Sequence, residues 1–207
     1  DGAMATVTQN GDSTAPTYFP SNQSSITQAS AATADVEQTG QQNLSDIMQD
    51  AGAAGALATV RQTNPNASAG AGDINSSMIT QSSLTSAFVE QIGEGNDSIV
   101  NQSGTNTVLA TNTVAAVEIS QLGNDGYSRV GQSGTGNEAS LTQLAGSSEA
   151  HSEIDQSGSD NFATVMQGGF DNASYITQSG EGNLATVSQT AAGNVSTITQ
   201  AGMNNTA

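Results

Sequence analysis

The sequence has no cysteine, three prolines, two basic residues and 3% aromatics, and each scarcity closes off a class of protein. Without cysteine there are no disulfides and no thiolate metal sites, and the compartment stays undecided. Arg61 and Arg129 are the only basic residues beside 19 Asp and Glu, giving a formal net charge of −17 over 207 residues. Nucleic acids and anionic membranes both require clustered cations, so neither is an expected partner. Charge of one sign instead favours a chain that stays soluble by self-repulsion until something overrides it. At 34% hydrophobic, a compact globule of this length would be short of core. No apolar run reaches the ~18 residues of a membrane span. The opening DGAMATVTQ lacks the basic and apolar regions of a signal peptide. The chain is therefore either not exported by such a peptide or present in mature form, and we read it as mature.

Low hydrophobicity alone would permit disorder, but only 10% of residues are charged, unlike a disordered acidic tail. Periodicity decides, and the sequence is periodic. A branched aliphatic, any residue, then glutamine ends sixteen units, at Gln9, Gln28, Gln38, Gln49, Gln62, Gln81, Gln91, Gln102, Gln121, Gln132, Gln143, Gln156, Gln167, Gln178, Gln189 and Gln200. The aliphatic is Val or Ile everywhere except Leu141, the preference of a strand. The commonest spacing is eleven, and three gaps of 19 fit eleven plus a loop. These insertions lie near 10–21, 63–73 and 103–114; two of them hold Pro16, Pro20 and Pro65, which suit loops and not inner strands. In the third, Thr107 to Thr111 is β-prone and reads as a possible extra strand.

Within a unit the pattern alternates. In NLATVSQ, Asn183, Ala185, Val187 and Gln189 share one face of an extended strand and Leu184, Thr186 and Ser188 the other. The first face recurs from unit to unit and the second varies, as expected if one packs on its own copies and the other meets solvent. Asparagine stands six before the glutamine at Asn22, Asn43, Asn75, Asn96, Asn137, Asn161, Asn172, Asn183 and Asn194; the units ending at Gln38, Gln62, Gln91, Gln121, Gln132 and Gln156 lack it. Gly and Asn between strands tolerate the positive φ of sharp turns.

The expected fold is all-β: a single repeat domain over 1–207, a parallel β-solenoid with two strands per rung and about eight rungs of about 22 residues, stacking into an amyloid-like fibre. Rungs ~4.8 Å apart would place each Gln and Asn over its neighbour, so that every buried amide donates on one side and accepts on the other. An unpaired buried amide would cost about 1–3 kcal/mol, and the ladder removes that cost. No capping segment is read after Gln200, so the end rungs are expected to pair with other copies head to tail in an open filament. Salt or falling pH should quicken assembly, and outward Glu37, Glu90 and Asp155 are read as brakes on it.

The phrase Gln-x-Gly-x-x-Asn-x-Ala-x-x-x-Gln, carried in QSGSDNFATVMQ, QGGFDNASYITQ and QSGEGNLATVSQ, resembles the curlin repeat of curli-type bacterial amyloid fibres. The resemblance spans nearly the whole chain and is strongest from about residue 132. It implies an extracellular structural subunit of a biofilm matrix, exported unfolded through an outer-membrane pore with chaperones and started by a nucleating subunit. By the same resemblance, the inward Gln and Asn of the matching units are the residues that template the next subunit.

Other chemistry finds little support. His151 lies in the variable stretch SSEAHSEID and reads as an exposed side chain. No nucleophile elbow, phosphate loop or H-E-x-x-H motif is present, so no enzyme, cofactor or metal site is expected. Asp155 with Asp160 and Glu149 with Glu153 could mimic acid–base pairs, but they fall on turns and outer faces. GEGND, GSGSDN and GAGDIN look like calcium-binding β-roll text, yet that repeat has nine residues and an Asp in each. The Asn-x-Ser/Thr matches read as by-products of the repeat. The main rival is a monomeric solenoid of the adhesin-stalk or ice-binding type, using an outer array of Thr27, Thr80, Thr142, Thr177 and Thr199. Glu37, Met48, Arg61 and Asp155 at the equivalent outer position count against that lattice. A disordered secreted polypeptide is the third reading.

Overall fold

The computed structural model describes residues 2–11, 21–65, 74–104 and 117–207. Each of the sixteen units is a strand: β1 (Met4–Asn10), β2 (Gln23–Gln28), β3 (Thr33–Gly40), β4 (Asn43–Gln49), β5 (Leu57–Asn64), β6 (Asn75–Gln81), β7 (Ser86–Ile92), β8 (Asp97–Gln102), β9 (Val117–Gln121), β10 (Tyr127–Thr135), β11 (Glu138–Gln143), β12 (His151–Ser159), β13 (Phe162–Gln167), β14 (Ala173–Glu181), β15 (Leu184–Gln189) and β16 (Val195–Met203). No helix occurs among the described residues. The possible strand at Thr107 to Thr111 lies outside them.

Odd strands form one eight-stranded sheet in chain order and even strands form another, so each rung contributes one strand to each sheet. All ladders are parallel, and every register sets glutamine on glutamine, from Gln9 on Gln38 to Gln178 on Gln200. The fold is a parallel β-solenoid of eight rungs, rising roughly 38 Å at ~4.8 Å per rung.

Alternation decides what is inside. In β15 the burial alternates strictly, with Ala185, Val187 and Gln189 in and Leu184, Thr186 and Ser188 out. The two inner faces meet in one core, in which Val36, Val60, Val89, Ile119, Leu141 and Val165 of the odd sheet pack with Ile47, Ile79, Val100, Val130, Ile154 and Ile176 of the even sheet. One column of branched aliphatics from each sheet, with the alanine column of the odd sheet beside it, fills so thin an interior, which explains how the fold manages without core aromatics.

The corners require glycine at one column. Gly134, Gly158, Gly180 and Gly202 lie in register, with φ of 103°, 97°, 101° and 98°. A Cβ on Gly158 would come within 2.1 Å of the Gly180 carbonyl oxygen, so the chain passes this corner only without a side chain.

Candidate functional site

Two continuous amide ladders run the length of the solenoid. In the odd sheet, Nε2 of Gln9, Gln38, Gln62, Gln91, Gln121, Gln143 and Gln167 each donates to Oε1 of the next glutamine up, at 2.7, 2.8, 2.8, 2.9, 3.1, 3.4 and 3.0 Å, ending on Gln189. In the even sheet, Gln28, Gln49, Gln81, Gln102, Gln132, Gln156 and Gln178 do the same at 2.9, 2.8, 3.1, 3.1, 2.8, 2.9 and 2.8 Å, ending on Gln200. Every link points the same way, donor below and acceptor above.

The same Nε2 groups also tie the sheets together. Gln156, 2% exposed, donates across the corner to the carbonyls of Glu138 and Asn161 at 2.9 and 3.1 Å, and Gln178 to those of Phe162 and Asn183 at 3.0 Å each. Glutamines such as these therefore join neighbouring rungs and also fasten one sheet to the turn entering the other.

The asparagines form shorter ladders of opposite polarity, in which the upper residue donates to the lower. Asn43 reaches Asn22 at 3.0 Å, Asn75 reaches Asn43 at 3.2 Å and Asn96 reaches Asn75 at 3.3 Å, all entering even strands; the Gly126 amide then closes the run on Asn96 Oδ1 at 3.1 Å. From rung six the ladder moves to the turns that enter odd strands, where Asn161 donates to Asn137 and Asn183 to Asn161 at 3.0 and 2.9 Å. A separate pair joins Asn194 to Asn172 at 3.1 Å. The asparagines thus fall into three groups instead of one continuous column. Where the lower odd strands lack asparagine, Ala32 and Ala56 pack with Ala53 in a small apolar cluster.

Two features escaped sequence reasoning. Asn205 extends the upper ladder, donating to Asn183 Oδ1 at 2.8 Å; its signal was the final QAGMNN, which places an asparagine where a further unit would begin. The second is a buried serine column. Four positions before the glutamine, every even strand has serine, from Ser24 through Ser45, Ser77, Ser98, Ser128, Ser152 and Ser174 to Ser196, whereas odd strands have alanine except for Val117. That alternation would have assigned each unit to its sheet. The hydroxyls of Ser24, Ser45, Ser77, Ser98, Ser128 and Ser174 are buried without a hydrogen-bond partner, while Ser152 donates to Gln167 Oε1 at 2.6 Å.

The outer faces carry the charge. Arg61 lies in register between Glu37 and Glu90, 3.7 Å from the Glu37 carboxylate. Arg129 donates to Asp155 at 2.9 Å, a bond that raises the guanidinium pKa further. The three residues read as brakes on assembly therefore sit beside the two arginines. Burial pushes the carboxyl of Asp97 up, opposed by hydrogen bonds from Ser76 and the Ser98 backbone. Burial, reinforced by Glu118, pushes Glu138 up as well.

His151 is half-buried, in contrast to the exposed side chain read from sequence. In-register pairing stacks its ring on Tyr127 with centroids 4.6 Å apart, Tyr175 lies 5.5 Å away on the other side, and its Nε2 is 2.9 Å from Glu153. Asp160 and Glu149 sit on turns at positive φ, away from the outward faces of Asp155 and Glu153. The outer threonines divide between the two sheets. The even-sheet row reads Thr27, Met48, Thr80, Asn101, Gly131, Asp155, Thr177, Thr199, and Gly131 leaves an open notch of about 300 Å³ in it. No three His, Asp or Glu side chains among the described residues converge on a point that could hold a metal.

The curlin associated repeat family matches this chain twice, at residues 153–180 and 180–207. Those segments cover most of β12 and all of β13 to β16, where the glutamines from Gln156 to Gln200 follow one another at eleven residues. No curated protein matches the chain.

Proposed function

From a chain that carries curlin associated repeats, we propose a structural subunit that adds end to end to copies of itself in an extracellular, curli-type amyloid fibre of a biofilm matrix, with a part in adhesion and no enzymatic role. The observation that supports this most is the common polarity of the two glutamine ladders. At one end, Gln9 and Gln28 have Oε1 acceptors with no glutamine below; at the other, Gln189 and Gln200 have Nε2 donors with no glutamine above. Stacking β1 and β2 of one copy on β15 and β16 of another continues both ladders without reversal. Such a contact is heterologous, so it propagates as a filament and does not close.

The strand edges fit the same geometry. Met4 N–H donates inward to Ala32, so by the alternation of a parallel ladder the N–H groups of Ala5 and Val7 face the open side of β1. At the far end, Thr206 pairs with Leu184 in the register that an incoming Met4 would take, so addition there displaces the last residues from β15. By resemblance, the further partners are a nucleating subunit, a secretion pore and chaperones. The interrupted outer threonine rows give a monomeric binding module less support.

Val7→Pro tests the reading. It removes an outward N–H while leaving the inward bonds of Met4, Thr6 and Thr8, a position where an edge strand tolerates proline. The variant should fold as the wild type does, yet bind fibre ends through β15 and β16 and stop growth when added substoichiometrically. Elongation of Val7→Pro at the wild-type rate would overturn end-to-end addition.

A further inference from the structure

Charge is unevenly distributed along the solenoid. The outward strand positions of rungs two to six carry Asp35, Glu37, Asp46, Arg61, Glu90, Asp97, Glu118, Arg129, Glu138, Glu153 and Asp155. Those of rungs seven and eight carry no charge on the odd sheet, while the even sheet has the exposed Glu181 at the end of β14. On the odd sheet, the neutral surface formed by β13 and β15 extends onto Ser140 and Thr142 of β11, and it exposes Phe162, Met166 and Leu184 at 36%, 38% and 38%. Thr164 and Thr186 lie between them in register, giving a flat strip of small polar and large apolar side chains.

We propose that this strip is a lateral contact between filaments, and that its occupant is the same strip on a second copy of the chain. Across rungs two to six, contact between copies would bring carboxylates together in a chain of net charge −17, whereas on this strip two copies meet large apolar side chains with no charge to desolvate. Six residues each of β13 and β15 and the last four of β11, at ~4.8 Å by ~3.3 Å per residue, cover about 250 Å² per copy. A stable pair needs about 800 Å² per partner. Single chains therefore do not pair through this face, whereas about three subunits in one filament present enough repeated strips, because each later contact forms at high effective concentration. Lateral pairing is thus gated by end-to-end growth, and the inference rests on the filament reading above.

The test compares wild type with Thr164→Glu/Thr186→Glu, imaging fibres by electron microscopy and following seeded elongation by dye fluorescence. Wild type should show paired filaments and the double variant single ones at an unchanged elongation rate, while Thr177→Glu/Thr199→Glu on the opposite sheet should leave pairing intact. If the double variant misfolds, Phe162→Ser/Met166→Ser replaces it with the same expectation. Single wild-type filaments, or paired filaments in the odd-sheet variants, would overturn the lateral contact and leave end-to-end assembly standing. Wild type that forms no filament would overturn both.

Discussion

Replacing Gln156 with methionine isolates the amide ladder from the packing around it, since the two side chains have similar length and volume. Gln156 Oε1 accepts from Gln132 at 2.8 Å, and its Nε2 donates to Gln178 Oε1 at 2.9 Å and to two backbone carbonyls. Methionine removes all of these, takes from Gln132 its glutamine acceptor and leaves the buried Gln178 Oε1 without its glutamine donor. At about 1–3 kcal/mol for an orphaned buried group, the expected loss is about 1–3 kcal/mol or more. The same change at Gln9, which is exposed and has one glutamine neighbour, should cost monomer stability about 1 kcal/mol or less. Gln9→Met should instead slow elongation. Urea unfolding of freshly diluted monomer reads the first effect and seeded growth the second. A Gln156→Met loss below about 1 kcal/mol, or equal losses at the two positions, would refute the reasoning that paired buried amides hold the rungs together.

The serine column gives the opposite sign. Ser45→Ala, Ser77→Ala and Ser98→Ala each remove a buried hydroxyl without a partner from a place that odd strands fill with alanine, so each should stabilise by about 1 kcal/mol in urea unfolding. Ser152→Ala, which removes the bond to Gln167, should destabilise. Gly158→Ala should cost about 3 kcal/mol or more, because its Cβ meets the Gly180 carbonyl at a positive φ; circular dichroism at raised temperature would report it. Asp97 and Glu138 have folded-state pKa values raised by burial, so the fold holds their protons more tightly than the unfolded chain does. Their contribution therefore makes stability rise as pH falls from neutral into the carboxylate range, and Asp97→Asn with Glu138→Gln should flatten that slope.

The rungs were legible because the repeat fixes three things at once: the β-branched inner position, the glutamine beside it and the Gly/Asn turn. A one-residue slip would turn Val187 and Gln189 outward together, so the alternation specifies the register as well as the strand. The polarity of the ladders was not legible, since the order of residues does not say which way an amide is oriented. The side-switching of asparagine had a signal in the units that lack it, but its meaning depends on which sheet each unit joins. The Ser/Ala alternation held that assignment, and it is visible only when alternate units are compared. His151 was misplaced because its unit begins with Ala150 instead of asparagine, which hides the start of β12.

X-ray diffraction from aligned material, formed by diluting the purified chain out of denaturant, bears most directly on whether these rungs continue from one molecule into the next. End-to-end stacking predicts a meridional reflection near ~4.8 Å, an equatorial one near ~10 Å, and fibres that seed fresh monomer. A chain that remains a folded monomer through prolonged incubation with seeds would contradict it and direct attention to the outer threonine rows as a ligand surface.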